Sequence, residues 1–145
     1  MKKLKIKFIS CFLLLIFSLP SFAFDWNGFL PNTYHLIGKE VDSNTSYFGE
    51  ATITLVDNKL QLIKNINGKQ TLAEITITKA YFVGAEMVII GFLDKPQLEQ
   101  SCLAQFDLDN DARLTCYIYT TDRHTTNPGY EAYFPTNKPG YKEVK

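Results

Sequence analysis

Beyond the first 23 residues, apolar and polar side chains alternate with a period of two, and short turn signals interrupt the alternation at regular intervals. Successive side chains of a strand point to opposite faces, so this period assigns one face of each segment to a core and the other to solvent. No segment keeps a helical period over three turns. Residues 47–56 gather Tyr47, Gly49, Ala51, Ile53 and Leu55 on the better core face, against Phe48, Glu50, Thr52, Thr54 and Val56. Asp57-Asn58 is turn chemistry, and residues 59–64 resume with Leu60 and Leu62 on one side. Asn67-Gly68 is the strongest hairpin signal, because both residues accept the positive φ of a tight hairpin turn.

The pattern continues to the C-terminal region. Residues 70–78 set Ala73, Ile75 and Ile77 opposite Leu72, Glu74 and Thr76, and residues 81–93 are mostly apolar, with Gly84 and Gly91 marking bends or turns. Asp94-Lys95-Pro96 closes that run, and residues 97–100 read as a polar connection. Cys102, Ala104, Phe106 and Leu108 then alternate, residues 107–111 turn, and Ala112, Leu114, Cys116 and Ile118 alternate on the return. With an opening strand at 34–41 and a last one at 130–134, the total is about eight strands with hairpin-length connections. Sequential neighbours joined by tight turns favour an all-β, up-and-down antiparallel barrel, which also removes exposed edges.

Cys102 and Cys116 are equidistant from a turn centred on Asp109, so they fall directly opposite each other across an antiparallel pair. Opposed Cα atoms are close enough for a disulfide. The same register sets Ala104 opposite Leu114 and Phe106 opposite Ala112, so the apolar faces agree. Zinc is a poor alternative, since His35 and His124 stand far from both thiols in the sequence. The acidic tip at 107–111 has Ala112 and Ile118 where a calcium loop needs Gly and Glu. A solvated turn accounts for it, with a weak surface calcium site as the alternative.

The first 23 residues read as a cleaved signal peptide. Lys2, Lys3, Lys5 and Lys7 precede an apolar run at 8–19, then Pro20 and Ser21-Phe22-Ala23. That run falls well short of the roughly 20 residues needed to span a bilayer. Cys11 stands at the front of the run, where lipidation would not place it, and leaves with the signal. The expected organisation is a signal peptide at 1–23, a barrel domain at 24–134 and a flexible tail at 135–145, in a periplasmic or secreted bacterial protein. Removing four lysines lowers Lys+Arg from 15 to 11 against 15 Asp+Glu, a net charge of −4. A mildly acidic product argues against nucleic acid and anionic membranes as partners. No stable membrane insertion is expected.

Catalytic signatures are sparse. There is no phosphate-binding Gly loop, no paired-histidine metal motif and no G-x-S-x-G elbow, and Ser43, Ser46 and Ser101 have no local context with His35 or His124. The sequence therefore points away from an enzyme and calls for no cofactor or metal. Aromatic content is the positive signal: one Trp, eight Tyr and seven Phe follow residue 23. Most serve a β core, and some suit the lining of a cavity or an interface.

Several short motifs recur in order: Tyr34-x-x-x-Gly38, Tyr47-x-Gly49-x-Ala51-x-Ile53, the hairpin at Asn67-Gly68, Gly91, Cys102, the acidic turn with Leu114, and Gly129-Tyr130-Glu131. This order resembles a group of small secreted bacterial proteins with calycin-like (lipocalin- or avidin-like) barrels, some labelled fibronectin-binding. Ala73, Ala112 and Thr115 stand where that group usually has Gly, and Asp25-Trp26-Asn27-Gly28 does not match the lipocalin Gly-x-Trp. No binding residue carries over. The expected role is a non-enzymatic binding protein with a small apolar ligand in or at the mouth of the barrel, near Trp26, Tyr34, Tyr47, Met87 and Phe106. The alternative is a protein-interaction module for an envelope or host extracellular protein, with Tyr117, Tyr119, Tyr130 and Tyr133 facing outward.

Overall fold

A computed structural model describes residues 24–79, 86–106 and 112–136. The expected signal peptide at 1–23, the acidic segment 107–111, Gly84 and residues 137–145 of the expected tail lie outside the described residues. A one-turn helix α1 (Trp26–Phe29) leads into eight strands: β1 (Asn32–Lys39), β2 (Ser46–Val56), β3 (Lys59–Ile66), β4 (Lys69–Lys79), β5 (Glu86–Phe92), β6 (Leu98–Phe106), β7 (Ala112–Thr120) and β8 (Gly129–Pro135). Each strand pairs antiparallel with the next, and β8 returns to β1, so the sheet closes into an up-and-down barrel. Closure pairs each of the eight strands on both sides, so among the described residues no strand is left as a free edge.

Turn chemistry sets the register. Asn67 and Gly68 both take positive φ (52° and 77°), as do Asp57 and Asn58 (48° and 62°). Two-residue turns of this hand match the twist of the strands that they join. The cysteine register holds across β6 and β7: Cys102 faces Cys116, Ala104 faces Leu114 and Phe106 faces Ala112. The two cysteines are disulfide-bonded, with Cα atoms 4.0 Å apart, and both are buried.

Several boundaries and faces differ from the sequence reading. The segment 97–100 is not a polar connection, because β6 begins at Leu98 and Gln100 is fully buried inside the barrel, where its amide is hydrogen-bonded. β1 runs from Asn32 to Lys39 rather than over 34–41. Leu55, assigned to the core face, is exposed near the end of the long strand β2. Pro135 and Thr136 are not loose, since Pro135 completes β8 and Thr136 donates to the Thr33 carbonyl at 2.8 Å. Tyr133 does not face outward with Tyr130: three positions apart on one strand, the two point to opposite faces, and Tyr133 is fully buried.

The barrel has two unlike ends. At the end where β1 begins, Leu30 is buried with no exposure and accepts a hydrogen bond from Tyr34 Oη on its carbonyl (2.6 Å). Asp25 caps α1 through Gly28 N, and Trp26 packs edge-on against Phe24 and Phe29 while its indole N–H donates to Glu86 on β5. The body of the core is aliphatic, with Leu36, Ile53, Leu62, Val88, Ile90 and Leu114 all buried. At the opposite end, Asp42 ties two loops together, its Oδ1 accepting from Asn127 N (2.8 Å) and Thr126 N (3.2 Å). That end carries the site.

Candidate functional site

A charged pair sits inside the barrel below this second end. Lys64 continues the inward series Leu60, Leu62 on β3, and Glu131 precedes Tyr133 on the inner face of β8. Lys64 Nζ lies 2.8 and 3.1 Å from the two oxygens of Glu131. The residues are 5% and 2% exposed, so the pair is out of bulk water. A buried pair holds only when its remaining hydrogen-bonding capacity is satisfied. Here Tyr47 Oη donates to Glu131 Oε1 (2.5 Å), while Tyr133 Oη (2.5 Å) and Gln100 Nε2 (2.8 Å) donate to Oε2. The carboxylate thus takes donors from β2, β3, β6 and β8.

Gly38 makes part of this geometry accessible. It is the register partner of both Tyr47 on β2 and Glu131 on β8, so it stands between them. A Cβ at residue 38 would lie 2.5 Å from Tyr47 Cζ and 2.7 Å from its hydroxyl. The phenol ring lies across the bare backbone of Gly38 and reaches the carboxylate one strand further on.

The environment shifts the titration of these groups. Burial pushes the Tyr47 and Tyr133 phenols far above the ordinary tyrosine range, and the neighbouring Glu131 charge adds to the effect. Burial lowers the Lys64 ammonium below the ordinary lysine value, against the opposing pull of Glu131. The Lys64 ammonium also rests over the Phe92 ring, 4.3 Å from its centroid, a contact worth more when desolvated.

Above the pair lies a cavity of about 310 Å³ that opens at the looped end. Tyr47, Lys64 and Glu131 form its polar floor. Val41, Ile66, Phe92, Leu98 and Ile118 form apolar walls, and Glu40, Thr71 and Lys95 complete the lining. Its volume is at the lower end of the range of small-molecule sites, roughly 300–1,000 Å³. Because Glu131 is already served by four side chains, the floor keeps little free acceptor capacity for a ligand. What it can still offer is a donor, the Lys64 ammonium, which has three N–H groups and donates to the two Glu131 oxygens.

The five residues singled out from sequence are dispersed. Tyr47 lines the cavity floor. Tyr34 is fully buried in the core, its ring edge-on to Tyr133 with centroids 6.1 Å apart. Trp26 stands at the α1 end, away from the looped mouth. Met87 is half-buried and out of phase with the inward residues Val88, Ile90 and Phe92 of β5. Of Phe106 only the backbone is described, paired with Ala112. Sequence reasoning missed Lys64, Gln100 and Glu131. A signal was present, since Lys64 keeps the phase of Leu60 and Leu62, and an in-phase charge on a core face requires a partner.

Fold and floor together define a closed eight-stranded antiparallel barrel with α1 packed at one end and, at the other, a cavity over an internal ion pair. Comparison with protein-family models, curated proteins and solved structures finds no match for the chain.

Proposed function

We propose that this chain is an exported, non-enzymatic binding protein that holds a small, largely apolar ligand in the mouth of its barrel. The observation that carries the reading is the cavity of about 310 Å³, with apolar walls over a hydrogen-bonded polar floor. Such a site buries an apolar body by the hydrophobic effect and orients one polar atom at the floor. The internal charges cancel, so a neutral ligand bearing an oxygen acceptor suits it best. The basic, apolar N-terminal segment and the Cys102–Cys116 disulfide support export to an oxidising compartment. The resemblance to secreted calycin-like barrels supports the same reading.

The test is a thermal-shift screen of small neutral apolar compounds against the mature protein and an Ile118→Trp variant. Ile118 lines the cavity, and Trp at this position fills part of it. Compounds that stabilise the parent and not the variant support the reading. A screen in which no compound separates the two contradicts it.

A second reading rests on the outer surface. Phe48 is 70% exposed, and its register neighbour Ile37 on β1 is 40% exposed. Tyr130 and Tyr117 are stacked edge-on, with centroids 4.9 Å apart, and are also exposed on β8 and β7. A patch of this kind suits a protein partner. Loss of a captured envelope or host protein on Phe48→Ser, with ligand retention unchanged, favours this alternative.

A further inference from the structure

We propose that Lys64 is a covalent docking point for small aldehydes or ketones, with Glu131 as the counter-ion of the iminium that forms. The inference rests on the reading of the barrel mouth as a ligand site and narrows the ligand to carbonyl compounds.

Three observations carry it. Lys64 is buried yet forms part of the cavity floor, so a ligand that enters the cavity meets this side chain. Its Nζ is 2.8 Å from Glu131 Oε1, the oxygen that also accepts from Tyr47. The walls beside it, Phe92, Ile66, Leu98 and Ile118, are apolar and favour an organic body over water. The cavity, about 310 Å³, lies within the size range of small-molecule sites, roughly 300–1,000 Å³, and suits a small carbonyl compound.

The condensation balances within the site. The Lys64 ammonium passes one proton to Glu131, and its lone pair attacks the carbonyl carbon. The carbonyl π pair moves to oxygen, which takes a second proton from the nitrogen and becomes a hydroxyl. The proton held by Glu131 then moves to that hydroxyl, the C–O bond breaks and water leaves. The third proton stays on the iminium nitrogen. An ammonium–carboxylate pair has become an iminium–carboxylate pair of the same net charge, so the buried site gains no uncompensated ion. Glu131 keeps Tyr47, Tyr133 and Gln100 as donors throughout, and this holds it in place when the lysine changes.

Desolvation raises the fraction of neutral, nucleophilic amine at Lys64 relative to a surface lysine. Asp94 opposes this shift and Lys95 assists it, both from the β5–β6 connection. Lys59, exposed on the outer face of β3, and Lys69, exposed at the start of β4, serve as internal references.

The experiment treats the mature protein with hexanal and cyanoborohydride near neutral pH and maps the reduced adducts by peptide mass spectrometry. Native mass spectrometry with hexan-1-ol, which cannot condense, runs in parallel. The expected result is early labelling at Lys64, several-fold faster than at Lys59 and Lys69, because its nitrogen loses its proton more readily. Hexan-1-ol should slow that labelling, and Ile118→Trp should suppress it while leaving Lys59 unaffected. Lys64 labelling no faster than that of Lys59 and Lys69 overturns the inference. If hexan-1-ol is still retained in that case, the ligand-site reading stands without it. If hexan-1-ol is not retained either, both fall.

Discussion

Glu131 is the residue on which the interior depends. Tyr47, Lys64, Gln100 and Tyr133 all donate to its two oxygens, and each comes with its own buried polar atom. Glu131→Leu leaves the Lys64 ammonium buried without a counter-charge, a change that typically costs about 3–5 kcal/mol. The double variant Glu131→Leu, Lys64→Met should recover a large part of that loss, because it removes both charges together. Urea denaturation of the two single variants, the double variant and the parent measures the coupling, and strictly additive losses would contradict it. The phenols give a second, pH-dependent outcome. Tyr47 and Tyr133 hold their protons above the ordinary tyrosine value in the folded state. Their contribution to stability is therefore complete below about pH 10 and lost as pH rises beyond it, where the unfolded chain ionises first. Denaturant midpoints measured across that range should fall for the parent and fall less steeply for Tyr133→Phe.

At the scale of elements, two strand pairs show what holds the site in position. Gly38 on β1 lets the Tyr47 ring of β2 cross to Glu131 on β8. Gly38→Ala forces a methyl into that ring and should cost about 1–3 kcal/mol, as overpacking of a tight interior does. In a Tyr47→Ala background the same substitution should cost far less, as chemical denaturation of the four proteins would reveal. The β6–β7 pair carries the disulfide between Cys102 and Cys116. Cross-linking residues 14 apart in sequence should stabilise the fold by about 3 kcal/mol in the chain-entropy account. The loss on reduction, read from the denaturation midpoint with and without reductant, checks this. These elements also show what could be read from the chain alone. Alternation and turn residues carried the strands and the Cys102–Cys116 register, because both are local or symmetric about one turn. The segment 97–100 was misread because polarity looks the same in a loop and in a buried network. Gln100 belongs inside only because Glu131 and Tyr133, more than 30 residues away, meet its amide. Lys64 was masked in the same way, since its partner lies on a strand that is not its sheet neighbour.

The whole molecule is a closed sheet with a division of labour between its ends. At the α1 end Leu30, Tyr34 and the Phe24–Trp26–Phe29 aromatic group close over the core. At the looped end, Asp42 pins the β1–β2 loop to the β7–β8 loop beside Val41, keeping a wall of the cavity in place. Barrels of eight strands sit at the size where side chains either fill the interior or leave room for one small ligand. This barrel does both, with a filled lower core and an unfilled mouth over an ion pair. Asp42→Ala should loosen the mouth and leave the lower core intact. Amide hydrogen exchange should then speed up in the two loops, with little change in β3 or β4. The most direct test of the central claim is native mass spectrometry of the protein recovered, without denaturation, from its own host. One small molecule should be retained per chain, released by unfolding and absent from Ile118→Trp prepared in the same way. A parent protein whose mass is that of the bare chain, with the mouth closed by its own side chains in a crystal structure, would contradict it.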